Sequence, residues 1–213
     1  MYSLQPDLPD LGRKHFPILT LDESRLTPAM GYVFKRKWIA PHESLVSILW
    51  KFERANGISG HVVARLLGAD IDPYEGVVPQ LGLVDVVRLR DNLAVPLKTL
   101  REALVQPNHR RRYSNVFRYC HACLLEGGYH SVLHQMECVI ACPAHRRPLQ
   151  DDCRRCGYVA PFRLNIRLLE SPYRCANCRA GYGGERWSPD TAHPMKAEFR
   201  RLLTRRHFEA YVG

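Results

Sequence analysis

Residues 120–178 read CHACLLEGGYHSVLHQMECVIACPAHRRPLQDDCRRCGYVAPFRLNIRLLESPYRCANC, and these 59 positions hold all eight cysteines of the 213-residue chain. The cysteines arrive in pairs: Cys120 with Cys123, Cys142 with His145, Cys153 with Cys156, and Cys175 with Cys178. Two residues separate the members of each pair, the spacing at which a tight turn aims both side chains at one metal ion. Two such turns complete a tetrahedron of sulfur and nitrogen. Four pairs therefore provide for two Zn²⁺ ions of structural type. Eighteen residues part the first pair from the second and again the third from the fourth, but only seven part the second from the third. That rhythm predicts two consecutive ribbons, Cys120, Cys123, Cys142 and His145 on one ion and Cys153, Cys156, Cys175 and Cys178 on the other, with Cys138 left over. The rival pairing is an interleaved cross-brace, in which the first pair shares its ion with the third.

A disulfide framework is the competing account of so many cysteines, and it calls for an oxidising compartment. The opening MYSLQPDLPDLGRKHF has no apolar signal core, and no run nears the roughly 18 apolar residues of a membrane span. The expected setting is a reducing cytoplasm with no membrane contact, where paired thiols are metal ligands first.

Charge is unevenly placed. The formal net charge is +10, of which residues 1–109 contribute +1 and residues 110–213 contribute +9. A Cys₃His site carries about −1 and a Cys₄ site about −2 once thiolates and Zn²⁺ are summed, so the cysteine half remains basic after metal binding. Arg110, Arg111 and Arg112 precede the first pair, and Arg146, Arg147, Arg154 and Arg155 surround the central ones. Clusters of this kind suit phosphate backbones, although a solvated surface balancing thiolate charge has the same composition.

Outward from the cysteines, residues 1–31 carry four prolines and no sustained period, which predicts an extended arm. Gly31 to Ile39 mixes aromatics with Lys35, Arg36 and Lys37 and predicts a short basic surface strand. From Pro41 the period becomes helical: Ser44 is placed to cap a helix whose apolar side is Leu45, Ile48, Leu49 and Phe52, and Asn56-Gly57 supplies its stop. Ser59 caps a second short helix through Leu67, and the sharp corner between the two predicts a helix-turn-helix. Its second helix displays only His61 and Arg65, a thin complement for reading bases, which favours a packing or protein-contact role. Two further helices are expected over Leu83 to Leu93 and Pro96 to Val105, with Gln106 to Ser114 as the link to the cysteine half. Gly181, Gly183 and Gly184 predict a flexible passage. Pro194 to Val212 reads as a last helix with Phe199, Leu202, Leu203 and Phe208 on one side and Lys196, Arg200, Arg201, Arg205 and Arg206 over the rest.

Catalytic signatures are missing from this pattern. Both ligand sets fill all four positions with protein atoms, whereas a catalytic zinc keeps one open. No His-x-Glu dyad stands upstream of the cysteine pairs as a nucleobase deaminase requires, and the chain has neither a phosphate-binding loop nor a His-Glu-x-x-His helix. The reading is a protein that is not an enzyme. His121 and His134 stand near the ligands and are assigned to packing.

With helices and pairs in this order, the chain resembles the TniQ family of transposition targeting proteins, which includes the TnsD proteins. The resemblance covers roughly residues 38–180. It is carried by Pro41, Glu43, Ser44, Leu45, Ser47, Leu49 and Ala55-Asn56-Gly57, and by the block Tyr119 to Leu124, His134-Gln135, Cys142 to His145, Leu149 and Cys153 to Gly157. The family commonly has Pro after the first ligand of the first and third pairs, where this chain has His121 and Arg154. Every ligand is spared.

The resemblance implies a non-enzymatic adaptor that links a target-site selector, either DNA-bound or a guide-RNA effector complex as in CRISPR-associated transposons, to an AAA+ ATPase regulator. It implies a prokaryotic protein that is nucleoid-associated when active. A short member is expected to cap or nucleate an ATPase filament on DNA rather than read a long site. The expected fold is mainly α with small β. It divides into an extended arm (1–37), a helix-turn-helix-like module (38–109), tandem zinc fingers (110–184) and a basic C-terminal helix (185–213). Arg146, Arg147, Arg154, Arg155, Arg200, Arg201 and Arg205 are the candidate nucleic-acid contacts. The alternative functions are a zinc-dependent sequence-specific regulator unrelated to transposition and, more distantly, a RING-like ligase or nuclease.

Overall fold

The computed structural model describes residues 32–106, 112–183, 187–190, 192 and 195–212. The expected arm over 1–31, Arg110 and Arg111, Gly184, Pro194 and the Phe208 side chain lie outside the described residues. The protein is mainly helical, and strand pairing among the described residues is confined to isolated bridges such as Glu43 with Ser131 and Tyr119 with Gln150.

Helix α1 (Leu45–Asn56) follows the sequence pattern at both ends. Ser44 accepts the Ser47 amide at its start, and Gly57 turns left-handed at φ 61° at its close. Residues 45–53 are all buried, so α1 is enclosed on every side rather than along one stripe. Trp50 sits at its centre, with ring centroids 5.6 Å from Phe117 and 5.1 Å from Tyr173, and donates its indole N–H to the Leu168 carbonyl at 2.9 Å. Helix α2 (Gly60–Arg65) is capped by Ser59 as expected but ends before Leu67. It packs against α6 (Ile166–Leu169), so its close neighbour comes from the far side of the cysteine stretch. The α1–α2 corner thus packs, and the described contacts assign it no base-reading role.

Helix α3 (Val86–Leu93) starts three residues later than the periodicity predicts, because the Asp85 carboxylate accepts the amides of Val87 and Arg88 at 3.1 and 2.9 Å and fixes the cap there. Helix α4 (Leu97–Glu102) pairs with it, and Pro96 stands at the cap rather than inside the first turn. The expected strand over residues 31–39 is instead a 3₁₀ turn, Arg36–Trp38. Burial decides this: the turn drives Trp38 inward against Phe34 and Trp187 at centroid distances of 5.6 Å each, while Lys35, Arg36 and Lys37 stay exposed.

One core holds the molecule together. It takes in Tyr32, Trp38 and the buried side of α1 through α4, and continues without a break into Phe117, Tyr119, Phe162, Leu168, Leu169 and Tyr173, and into the ligand residues Cys153 and Cys175. A smaller cluster joins Cys120, Cys123, Tyr129 and Cys142 to Leu203, a fully buried residue of α7 (Ala197–Val212). Helix α5 (His121–Gly127) begins within the first cysteine pair, Cys120 being its cap.

Candidate metal centres

Three of the four ligand pairs adopt one turn. The amide of Cys142 donates to Arg147, that of Cys153 to Tyr158 and that of Cys175 to Ala180, at 2.8, 2.9 and 2.8 Å. Each first cysteine carbonyl then accepts an amide four residues on, from Arg146, Gly157 or Arg179. Those three residues have left-handed backbones, with φ of 55°, 69° and 60°. Only at Gly157 is that conformation free of Cβ strain. The Arg179 guanidinium compensates by donating to the Glu170 carbonyl at 2.7 Å and to Ser171 Oγ. The first pair differs, since Cys120 and Cys123 straddle the opening turn of α5.

These turns gather the ligand atoms into two groups, Cys120, Cys123, Cys142 and His145, and Cys153, Cys156, Cys175 and Cys178, each spanning no more than 4.8 Å. The grouping is sequential, not interleaved. In the first, Cys123 Sγ lies 3.5 Å from Cys142 Sγ and 3.2 Å from His145 Nδ1, and Cys120 and Cys142 each lie 3.6 Å from that nitrogen. In the second, Cys153 and Cys178 sulfurs are 3.6 Å apart and Cys156 and Cys175 sulfurs 3.8 Å apart. A tetrahedral ion with bonds of about 2.3 Å to sulfur and about 2.0 Å to nitrogen separates its ligand atoms by about 3.5–3.8 Å. Apart from the shorter Cys123–His145 approach of 3.2 Å, these separations fall in that range, so the donor sets suit a tetrahedral ion.

The surroundings fit it as well. His145 offers Nδ1 to the cluster while Nε2 meets the Glu126 carboxylate at 3.3 Å, the partner that orients a ligating imidazole. Asn177 donates its amide to Cys175 Sγ and its side-chain nitrogen to Cys156 Sγ, at 3.4 and 3.7 Å. The Cys156 thiol is lowered to about 6, chiefly by the Tyr158 amide. Hydrogen bonding with Cys120 lifts Cys142 to about 11. Cys138 is exposed and joins neither group. His121 donates from Nδ1 to the Tyr182 carbonyl, 2.8 Å away, and His134 closes a capping box with Ser131, so both are used in packing.

The candidate nucleic-acid contacts are spread out. Arg146, Arg147, Arg154, Arg155, Arg201 and Arg205 are exposed. Arg200 is half-buried and donates to the Met195 carbonyl at 3.0 Å, and Arg205 lies 3.6 Å from Glu209.

A buried polar seam escaped the sequence reading. Glu43 receives Lys51 Nζ at 2.5 Å, the Ser47 hydroxyl at 2.6 Å and the Ala40 amide at 2.8 Å, and Lys51 also donates to the Trp38 carbonyl at 2.7 Å. The Lys51 and Glu43 side chains are 3% and 0% exposed. Beside them the Ser44 hydroxyl meets His130 Nδ1 at 2.6 Å, and His130 Nε2 donates to the Arg118 carbonyl at 2.8 Å. Burial holds His130 near a pKa of about 4, so it is neutral. The seam ties the start of α1 to the segment between the first two ligand pairs. Its signal was present in Glu43, Ser44 and Ser47, positions that carry the family resemblance.

Among known families, the TniQ family model matches residues 38–149, more than half of the chain. That span runs from Trp38 through α1 and the seam to the first metal cluster. No curated protein matches the chain.

Proposed function

Because the chain belongs to the TniQ family, a family of transposition-associated proteins, we propose that it is a non-enzymatic targeting adaptor joining a target-site selector to an AAA+ ATPase regulator of transposition. The selector is a DNA-bound protein or a guide-RNA complex, and DNA is met largely through the ATPase filament. The observation that carries this reading is the family match itself, which joins α1 and the first cysteine cluster in one unit. Both clusters take Zn²⁺ in this reading, since sulfur-rich tetrahedral sets favour it. All four positions of each are protein atoms, so the ions brace the fold and leave no place for a substrate. The exposed Arg146, Arg147, Arg154, Arg155, Arg201 and Arg205, with Arg200 beside them, supply phosphate contacts.

The test is association with an AAA+ ATPase regulator of transposition on duplex DNA in the presence of ATP, after metal analysis has counted two zinc ions per chain. Association that depends on ATP and is lost in Cys142→Ser is the expected result. Zinc-loaded protein that fails to associate, where the ATPase does coat DNA, overturns the adaptor role.

A further inference from the structure

The start of α7 roofs a cleft beside the first metal cluster, which shares Arg200 alone with the arginines assigned to phosphate. It has a volume of about 320 Å³, and its walls include Trp38, Tyr129, Trp187, Phe199, Leu203 and Met195. The floor is the first metal cluster, where Phe199 lies 6.0 Å from the His145 ring. At Lys37, Ile39, Ala40, Met195 and Arg200 this cavity adjoins a second, more open one of about 880 Å³ that adds Arg36.

Charge around the cleft is one-sided. Arg36, Lys37 and Lys196 are exposed and Arg200 half-exposed along it. The acids that line it are few: Glu126 faces His145, Glu43 is tied to Lys51, and Glu102 lines only the open part. Lys51 is likewise held by Glu43 and the Trp38 carbonyl. Four cations therefore stand beside an aromatic-walled hole.

We infer that this cleft is a docking site for a partner protein's acidic peptide segment, one large apolar side chain filling the aromatic cavity and flanking carboxylates meeting Arg36, Lys37, Lys196 and Arg200. Two observations favour peptide over nucleic acid. Trp38 and Trp187 meet edge to face at 89°, so the two rings do not clamp a base between parallel faces. A duplex backbone would satisfy the cations but offer nothing to the apolar walls. Enclosure of an apolar anchor within a polar rim is the arrangement in which single residues dominate binding, and the Met195 wall adapts to the anchor's shape. The site stands independently of the adaptor role, because its chemistry lies in the cleft alone.

Fluorescence anisotropy with the metal-loaded full chain tests it, using three labelled twelve-residue peptides. One carries a Leu-Trp centre among Asp and Glu, one the same centre among Lys, and one the acids around a Gly-Gly centre. The first is expected to bind at least tenfold more tightly than either of the others. The exposed double variant Lys37→Glu/Lys196→Glu should lose at least tenfold of that affinity, and Met195→Trp, which fills the cavity, should block it while the far-ultraviolet spectrum stays unchanged. Equal affinity for the three peptides, or binding indifferent to both variants, overturns the assignment. So does a duplex DNA oligomer that displaces the peptide and is itself weakened by Met195→Trp.

Discussion

Lys51 and Glu43 show how much of this protein rests on a few buried polar side chains. Removing one member of a fully buried pair leaves the other charged and unpartnered, so Lys51→Met is expected to cost about 3–5 kcal/mol in denaturant unfolding, more than any exposed lysine. Glu53, further along α1, is under a different constraint. Burial, and then the Glu170 charge, raise its carboxyl from the ordinary 4.5 to about 8. The folded chain thus keeps this proton up to about pH 8, whereas the unfolded chain gives it up near 4.5. Between those values folding takes up a proton, and stability falls as pH rises, by at most about 1.4 kcal/mol per unit. Comparing unfolding midpoints at pH 5.5 and 8 should show that slope in the native chain and its loss in Glu53→Gln. At this scale the ligands were legible, because a two-residue gap is a purely local signal. The Glu43–Lys51 pair was not: apolar periodicity marks α1 as a helix but says nothing of which polar side chains are sealed inside it.

Elements follow the same division between local and distant causes. Ser44, Ser59 and Gly57 set helix ends through their own backbone and were readable, as the observed caps of α1 and α2 show. Asp85 also caps locally, yet the apolar run beginning at Leu83 masked it. The 3₁₀ turn at residues 36–38 could not be read, since its cause is the fit of Trp38 against Trp187, 149 positions away. The α2–α6 contact is the sharpest case. A Cβ on Gly60 would stand 2.4 Å from the Glu170 amide nitrogen and 2.6 Å from the Leu169 carbonyl carbon, both backbone atoms that cannot swing aside. Gly60→Ala is therefore expected to destabilise by about 1–3 kcal/mol despite the better helix propensity of alanine. Thermal unfolding of the variant gives the sign at once, because an exposed helical glycine would become more stable on the same change.

For the whole molecule, the shared core makes a definite demand. Cys153 and Cys175 belong to the same buried cluster as α1, so withdrawing the metal should not release the cysteine half alone. Chelation is expected to lower the far-ultraviolet helical signal beyond what α5 and α6 contribute, and the metal-loaded chain should unfold in one transition by both circular dichroism and tryptophan emission. Two separated transitions would mean that α1 through α4 stand on their own. The Trp50 contacts bear also on how the protein is made. Its indole reaches Leu168, 118 positions further along the chain, and its ring leans on Tyr173. A ribosome adding about 5–20 residues per second delivers those partners roughly 6–24 seconds after α1 has emerged. During that interval a helix destined for burial on every side has no permanent cover, and nascent-chain chaperones have their clearest target in its apolar residues, Leu45, Val46, Ile48, Leu49, Trp50 and Phe52.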